Sequence, residues 1–134
     1  MPLNKKIGIL GGGQLGRMLI ENALRYDADI SIIDPSEIAP CRYITKSFTQ
    51  ASFKDYDSVL AFGKDLDILS IEIEHVNTDA LAALEKQGKT VIPSSKTIEI
   101  IKDKGLQKQF YKENGIASSD FVMINNKEEL KNHL

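Results

Sequence analysis

A glycine-rich stretch near the amino terminus, Lys5–Tyr26, places the strongest constraint on how this chain can fold. An apolar run, Ile7–Leu10, leads directly into Gly11–Gly13, and an amphipathic segment follows. This order predicts a β-strand, a tight turn and an α-helix. The spacing Gly11-x-Gly13-x-x-Gly16 fits such a turn, because glycine tolerates positive φ and lets a ligand approach the backbone.

The amphipathic segment after the glycines predicts a helix with one apolar face. Its apolar side chains fall near one helical stripe, formed by Leu15, Met18, Leu19, Ala23 and Tyr26. The amino end of such a helix carries unpaired N–H groups and a partial positive charge, which favour phosphate binding. A glycine turn of this kind also occurs for packing alone, so a nucleotide-binding role and a purely structural role both remain open.

Short apolar runs then alternate with helical patterns as far as Pro93. Asp55 and Thr78 are expected at or near helix caps, and Gly88 is expected just beyond a helix end. The alternation predicts right-handed βαβ units in an open parallel sheet, with ligands beyond the carboxyl ends of the strands. We predict strands at Ala28–Asp34, Ile44–Thr49, within Leu66–Val76 and at Thr90–Ile92, and helices at Asp55–Gly63 and Thr78–Gln87.

After Pro93 the pattern changes to helical segments with little apolar strand character. Helices are predicted at Ser95–Asp103 and Leu106–Asn114, with a break at Gly105, followed by a strand-like run at Phe121–Ile124. A last helix, Lys127–Leu134, has no closing turn after it. We therefore expect this region to lead into another domain of a longer protein.

Charged residues at the end of the fourth predicted strand are candidates for a binding site. Glu72 and Glu74 alternate with apolar residues and would share one strand face. Either the strand has already run into solvent or lies at an edge, or the carboxylates face hydroxyl or amine groups of a ligand. Asp34 ends the second strand, where a ribose-binding acid lies in dinucleotide sites. His75 fits a local hydrogen-bonding role better than a catalytic one.

Composition excludes several classes of protein. The formal net charge of −2 gives no electrostatic reason to expect nucleic acid or an anionic membrane as a partner. No apolar run approaches the roughly 20 residues of a membrane span, and we expect no signal peptide. The single cysteine, Cys41, cannot form an internal disulfide and fits the reducing cytoplasm. His75 and His133 are far apart in sequence, so no metal-ligand cluster is predicted.

Ordered motifs along nearly the whole chain resemble 5-(carboxyamino)imidazole ribonucleotide synthases, the ATP-grasp enzymes of purine biosynthesis. The resemblance implies an α/β fold: a Rossmann-like open parallel sheet, the pre-ATP-grasp domain, at residues 1–93. Linker helices and the incomplete start of an ATP-grasp domain would follow at residues 94–134. The motifs are Gly11-Gly12-Gly13-Gln14-Leu15-Gly16-Arg17-Met18, Asp34-Pro35, Pro40-Cys41-Arg42-Tyr43, Gln50-Ala51-Ser52-Phe53, Glu72-Ile73-Glu74-His75-Val76, Asp103-Lys104 with Gln107-Lys108, Phe110 and Gly115-Ile116.

The resemblance also implies a reaction and a substrate site. ATP would phosphorylate bicarbonate to carboxyphosphate, which delivers CO2 to the exocyclic amine of 5-aminoimidazole ribonucleotide. Gly13, Gln14 and Leu15 are implied to bind that ribonucleotide, and Glu74, with Glu72, to reach its polar groups. The small-molecule partners would be the ribonucleotide, bicarbonate and ATP, and a homodimer is implied.

ATP and Mg²⁺ are implied mainly as ligands of regions beyond residue 134. Within the chain, Lys104 occupies the position where the family places a basic residue against ATP, and its alternative role is that of a solvated helix lysine. No catalytic or metal-binding residue is implied here. We therefore expect the chain to be inactive on its own.

Three alternatives to this synthase remain open at the level of sequence. A related ATP-grasp transformylase, acting on glycinamide ribonucleotide with formate, uses the same amino-terminal fold. An NAD-dependent oxidoreductase would place Asp34 on the adenosine ribose, and it predicts measurable NAD binding. A non-enzymatic nucleotide-sensing or assembly module would use a similar fold and would be complete near residue 134.

Overall fold

The computed structural model describes residues 5–133. Its strands are β1 (Lys6–Leu10), β2 (Asp29–Asp34), β3 (Ser47–Gln50), β4 (Ile68–Ile71) and β5 (Thr90–Ile92). They form one sheet in the order β3-β2-β1-β4-β5, and every neighbouring pair is parallel. The predicted open parallel sheet is therefore confirmed, with β1 at its centre.

Within the described residues, six α-helices connect or follow these strands. They are α1 (Gln14–Ala23), α2 (Tyr56–Gly63), α3 (Thr78–Lys86), α4 (Ser95–Lys102), α5 (Lys104–Glu113) and α6 (Lys127–His133), and a short 3-10 helix, Leu24–Tyr26, follows α1. Two compact units divide the chain, one ending at Glu99 and one beginning at Ile100, and each is described by itself. Within residues 5–133, no helix has the length and apolar character needed to cross a membrane.

Alternate residues of the central strands pack into two separate apolar clusters. Leu10 and Ile33 belong to a cluster with residues of α2, α3 and α4. Their neighbours Ile9 and Ile32 belong to a second cluster with Ile20 of α1. Successive side chains of a strand point to opposite faces, so helices cover both faces of the sheet. This packing leaves the edge at the carboxyl ends of the strands for a binding site.

The buried face of α1 differs from the predicted stripe. Leu15, Met18 and Leu19 are 65%, 58% and 50% exposed, whereas Gly16 and Ile20 are the buried residues of the helix. The helix approaches the sheet through Gly16, where an added Cβ would lie 3.2 Å from the Cys41 sulfur and from the Gly11 carbonyl oxygen. The missing side chain sets the rotation of the helix, and apolar periodicity alone does not encode it.

Several element boundaries also differ from the predictions. β3 begins at Ser47, because Thr45 lies in the preceding loop and its hydroxyl donates to the Ile30 carbonyl at 2.7 Å. By contrast, Thr78 lies near the cap of α3 as predicted: it is the first helical residue and follows the N-cap Asn77, whose side chain accepts from the Ala80 N–H.

In the second unit, the predicted helix break at Gly105 is wrong. The break lies at Asp103, whose side chain accepts from the N–H groups of Gly105 and Leu106 and so begins α5. The predicted strand at 121–124 is also wrong, because in the described structure this run forms no strand and pairs with no other strand. The last predicted helix is confirmed as α6, and Leu134 lies outside the described residues.

Candidate functional site

The turn between β1 and α1 has a backbone that only glycine adopts without strain. Gly11 has φ +107, in the region that side-chain-bearing residues avoid. Gly13 is the N-cap of α1, and because it is a glycine it has no side chain with which to cap the helix. The first N–H groups of a helix lack intrahelical partners, so the first turn of α1 presents donors and the positive end of the helix dipole.

A second loop holds this turn from the side of β2. Asp34, the last residue of β2, accepts the Gly12 N–H at Oδ2 and the Ser36 N–H at Oδ1, both at 2.7 Å. The Cys41 N–H donates to the Gly12 carbonyl at 3.0 Å, and its thiol lies 3.6 Å from the Gly13 carbonyl oxygen. Both polar backbone groups of Gly12 are therefore bound by the protein itself.

The thiol of Cys41 is buried beneath the turn. Burial raises the pKa of this thiol to about 11, and the negative charges of Glu72 and Asp34 contribute in the same direction. The thiol is therefore protonated at neutral pH, and its S–H can donate a hydrogen bond to the Gly13 carbonyl oxygen. In the sequence, Cys41 excludes an internal disulfide and belongs to the Pro40-Cys41-Arg42-Tyr43 motif, but neither feature indicates a position under the glycine turn.

The structure corrects the placement of the two glutamates. β4 ends at Ile71, so Glu72 and Glu74 follow the strand and do not share one of its faces. The Glu72 N–H still donates to the Leu10 carbonyl at 2.8 Å, which fixes the start of this segment beside β1. Among the described residues, the pairing of β4 with β1 ends at Ile71 and Leu10, and its pairing with β5 ends at Ser70 and Ile92.

Glu72 packs directly against the glycine turn. A Cβ added to Gly13 would lie 2.6 Å from Glu72 Oε1, and one added to Gly11 would lie 2.7 Å from Oε2. The carboxylate therefore occupies the space that glycine leaves open, close to the amino end of α1. Helix dipoles stabilise negative charge at that end. Glu74 has its Oε1 3.6 Å from His75 Nε2, which is beyond hydrogen-bond distance, so the local hydrogen-bonding role of His75 stays a prediction.

Gln14 and Leu15 are exposed in the first turn of α1. Beside them, an open groove of about 160 Å³ separates α1 from β4. Of the predicted substrate-binding residues, the structure brings Gly13, Gln14, Leu15 and Glu72 together at this edge, and Glu74 follows two residues later. The groove is lined by Ile9, Leu15, Gly16, Leu19, Ser70, Ile71 and Glu72.

Lys104 lies in the second unit, at the first position of α5. Its side chain is exposed, and Nζ donates to Gln107 Oε1 at 3.3 Å. Lys108 differs, because its Nζ donates to Ser118 Oγ at 2.6 Å and to Ser119 Oγ at 2.7 Å. Of the two lysines, Lys104 is the one with little protein contact. Across residues 5–133, no group of three or more His, Cys, Asp or Glu side chains could hold a metal ion.

Comparison with known proteins matches this geometry to a family. A family model described as the ribonucleotide synthetase preATP-grasp domain matches residues 4–102. The chain belongs to this family. It is also 41% identical over 124 residues to a phosphoribosylaminoimidazole carboxylase from Ogataea methanolica, an alignment that covers 90% of the chain and 23% of that protein. The resemblance to synthases of purine biosynthesis and the expected pre-ATP-grasp fold are both confirmed.

Solved structures of related synthases share this fold, and two of them illustrate the match. The N5-carboxyaminoimidazole ribonucleotide synthetase of Thermotoga maritima superposes with a TM-score of 0.85 at 32% identity, covering 96% of this chain and 36% of that one. The synthase of Aspergillus clavatus, solved with ADP and 5-aminoimidazole ribonucleotide, has a TM-score of 0.79 at 35% identity over 87% of this chain and 31% of that one. The chain thus spans between 23% and 36% of the length of these relatives.

Proposed function

We propose that this chain is the substrate-side domain of a 5-(carboxyamino)imidazole ribonucleotide synthase. The complete enzyme would convert 5-aminoimidazole ribonucleotide, bicarbonate and ATP to the N5-carboxylated ribonucleotide, ADP and phosphate, through carboxyphosphate. The observation that carries this proposal is the family match over residues 4–102, reinforced by a similar enzyme solved with ADP and the ribonucleotide. Residues 1–93 would form the pre-ATP-grasp domain, and residues 94–134 would begin the ATP-grasp domain.

The glycine turn and α1 would bind the ribonucleotide. The exposed first turn of α1, with Gly13, Gln14 and Leu15, offers backbone donors and an amide side chain that suit the oxygen atoms of a nucleotide. Glu72 and Glu74 offer carboxylate acceptors beside that turn, which suit the hydroxyl and amine donors of an aminoimidazole riboside. The turn would thus receive a ligand that carries acceptors on one side and donors on the other.

Lys104 would contribute a single positive charge to ATP. Its exposed ammonium group suits a phosphate oxygen, although it lacks the bidentate geometry of an arginine. The described residues do not fit Mg²⁺, because they contain no cluster of metal-binding side chains. We therefore assign no step through a metal to this chain, and we expect residues 1–134 alone not to hydrolyse ATP in response to the ribonucleotide.

Steady-state ADP release by the full-length gene product tests these assignments. Glu74→Gln should raise the KM for 5-aminoimidazole ribonucleotide by roughly tenfold to a hundredfold, since a hydrogen bond to a charged group is worth about 1.5–3 kcal/mol. Lys104→Met should instead raise the KM for ATP. Lys108→Met is the matched control for Lys104, because its ammonium group is already bonded to Ser118 and Ser119. If Glu74→Gln leaves the ribonucleotide KM unchanged, this site assignment is wrong.

The proposal includes a cytoplasmic homodimer. Sedimentation equilibrium of the full-length gene product should give twice the mass of one full-length polypeptide, and fractionation should recover the protein with cytoplasmic markers. A monomer at micromolar concentration would contradict the first expectation, and recovery with membranes would contradict the second.

A further inference from the structure

We infer that Asp34 is a positioning residue for ribonucleotide binding, which holds the glycine turn in its binding geometry and does not itself contact the ligand. The inference rests on the proposed function and extends it to a residue outside the proposed site. In dinucleotide-binding folds, an acidic residue at the end of the second strand accepts hydrogen bonds from the ribose hydroxyl groups. Here the same strand position performs a different task.

The contacts of Asp34 carry this inference. Each carboxylate oxygen accepts one backbone N–H at 2.7 Å, from Gly12 on one side and from Ser36 on the other. Charge-assisted hydrogen bonds of this length are about twice as strong as neutral ones. The bond to Ser36 is an Asx-turn, which locks the side chain to its own backbone. The carboxylate is thus held on one side and directed at Gly12 on the other.

Gly12 has little freedom of its own once these bonds form. Its N–H is bound by Asp34, and its carbonyl accepts the Cys41 N–H at 3.0 Å. Alanine would not fit easily there, because an added Cβ would lie 3.1 Å from Ile32 Cγ2 and 3.2 Å from Asp34 Cβ. The two peptide groups that flank Gly12 therefore have fixed orientations, and the next N–H groups begin α1.

Loss of the Asp34 carboxylate would release one of those peptide groups. The Gly12 N–H would then lose its acceptor, and the chain could rotate about this glycine, which has no side chain to resist. Rotation would move Gly13 relative to Glu72 Oε1, and it would misalign the donors of the first turn of α1. These groups bind the ribonucleotide in our proposal. Binding should therefore weaken while the chemical step, carried by other parts of the enzyme, continues.

Asp34→Asn tests the inference in the full-length gene product, because an amide offers only one oxygen to the two N–H donors. We expect the KM for 5-aminoimidazole ribonucleotide to rise about tenfold, with kcat within about twofold and the KM for ATP unchanged. Asp67→Asn is the matched control. Its carboxylate also accepts a backbone N–H, from Lys6 at 2.9 Å, but at the opposite ends of the strands. This control should leave all three constants unchanged.

Asp34→Ser separates positioning from folding. A serine hydroxyl can still accept the Ser36 N–H in an equivalent turn, but it is too short to reach Gly12. It should reproduce the rise in KM while circular dichroism remains native. An unchanged KM in folded Asp34→Asn and Asp34→Ser would overturn the inference and leave the proposed function intact. The inference would also be overturned if Asp34→Asn and Asp34→Ser both unfold while Asp67→Asn stays folded, because Asp34 would then be needed for folding of the protein and not for positioning the turn. Wild-type turnover that ignores the ribonucleotide would instead refute the proposed function, and the inference with it.

Discussion

Replacing Gly13 by alanine probes the contact between the glycine turn and Glu72. Gly13 has φ −73 and ψ −162, a conformation that alanine adopts without strain. The added Cβ would nevertheless lie 2.6 Å from Glu72 Oε1 and 3.3 Å from Glu72 Cδ, with no other residue among its three nearest contacts. The carboxylate must therefore move away, and the backbone has no separate reason to change.

Two opposing effects set the magnitude of this substitution. Displacing Glu72 should cost about 1–2 kcal/mol, from a less favourable rotamer and from lost interaction with the amino end of α1. The alanine also reduces the conformational freedom of the unfolded chain, which should stabilise the folded protein by about 0.4–1 kcal/mol. In a Glu72→Ala background, only the reduced freedom of the unfolded chain remains, because the carboxylate atoms that the new Cβ would contact are absent. Gly13→Ala should therefore change from near-neutral or destabilising to stabilising, with a coupling energy of about 1–2 kcal/mol.

Urea unfolding followed by circular dichroism measures all four corners of this double-mutant cycle. Gly88→Ala is the matched control: Gly88 has φ +86 and open space around its Cβ position. Gly88→Ala should lower the free energy of unfolding by about 1 kcal/mol through backbone strain, and by the same amount in the wild-type and Glu72→Ala backgrounds. If Gly13→Ala has the same effect with and without the Glu72 side chain, the packing of Glu72 against the turn is refuted.

Three further predictions concern stability and reactivity. Asn77→Ala should lower the free energy of unfolding, measured with urea, by about 1–2 kcal/mol. The substitution removes the cap of α3 and also removes the 3.1 Å hydrogen bond from the Asn77 amide to the Lys54 carbonyl. Iodoacetamide at pH 8 should modify native Cys41 about 100-fold more slowly than a thiol of pKa 9.0, and denaturation should abolish the difference. Hydrogen bonds from Ser58 lower the pKa of the Asp55 carboxyl, so its stabilising contribution should persist above pH 3.8 and disappear as pH falls through the lowered native value. Urea midpoints of wild type and Asp55→Ala should therefore converge on acidification.

Local patterns were sufficient to predict the sheet and the edge at which the candidate site residues come together. The glycines after β1, the Asp34 that ends β2 and the helix cap at Asp55 each have a direct local cause, and each lies where its pattern indicates. Parallel strands bring their carboxyl ends to one edge, so the alternation of elements also predicts that the glycine turn, Asp34 and Glu72 lie near one another.

The parts that sequence reasoning missed depend on tertiary contacts. The rotation of α1 follows from the close approach of Gly16 to Cys41, which hydrophobic periodicity does not contain. Alternation continued through Glu72 and Glu74, but β4 ended earlier, since strand length depends on pairing with neighbours as well as on pattern. Asp103 ended α4 and began α5 through its side-chain hydrogen bonds, and this cap outweighed the helix-breaking tendency of Gly105.

Dependence of ADP release on both co-substrates tests the central claim most directly. The full-length gene product should release ADP from ATP only when 5-aminoimidazole ribonucleotide and bicarbonate are both present. Omitting either one should return the rate to background. ADP release that is independent of both, or measurable NAD binding at the Gly11–Gly16 turn in place of ribonucleotide binding, would contradict the assignment of this chain as the substrate-side domain of a carboxylating ATP-grasp enzyme.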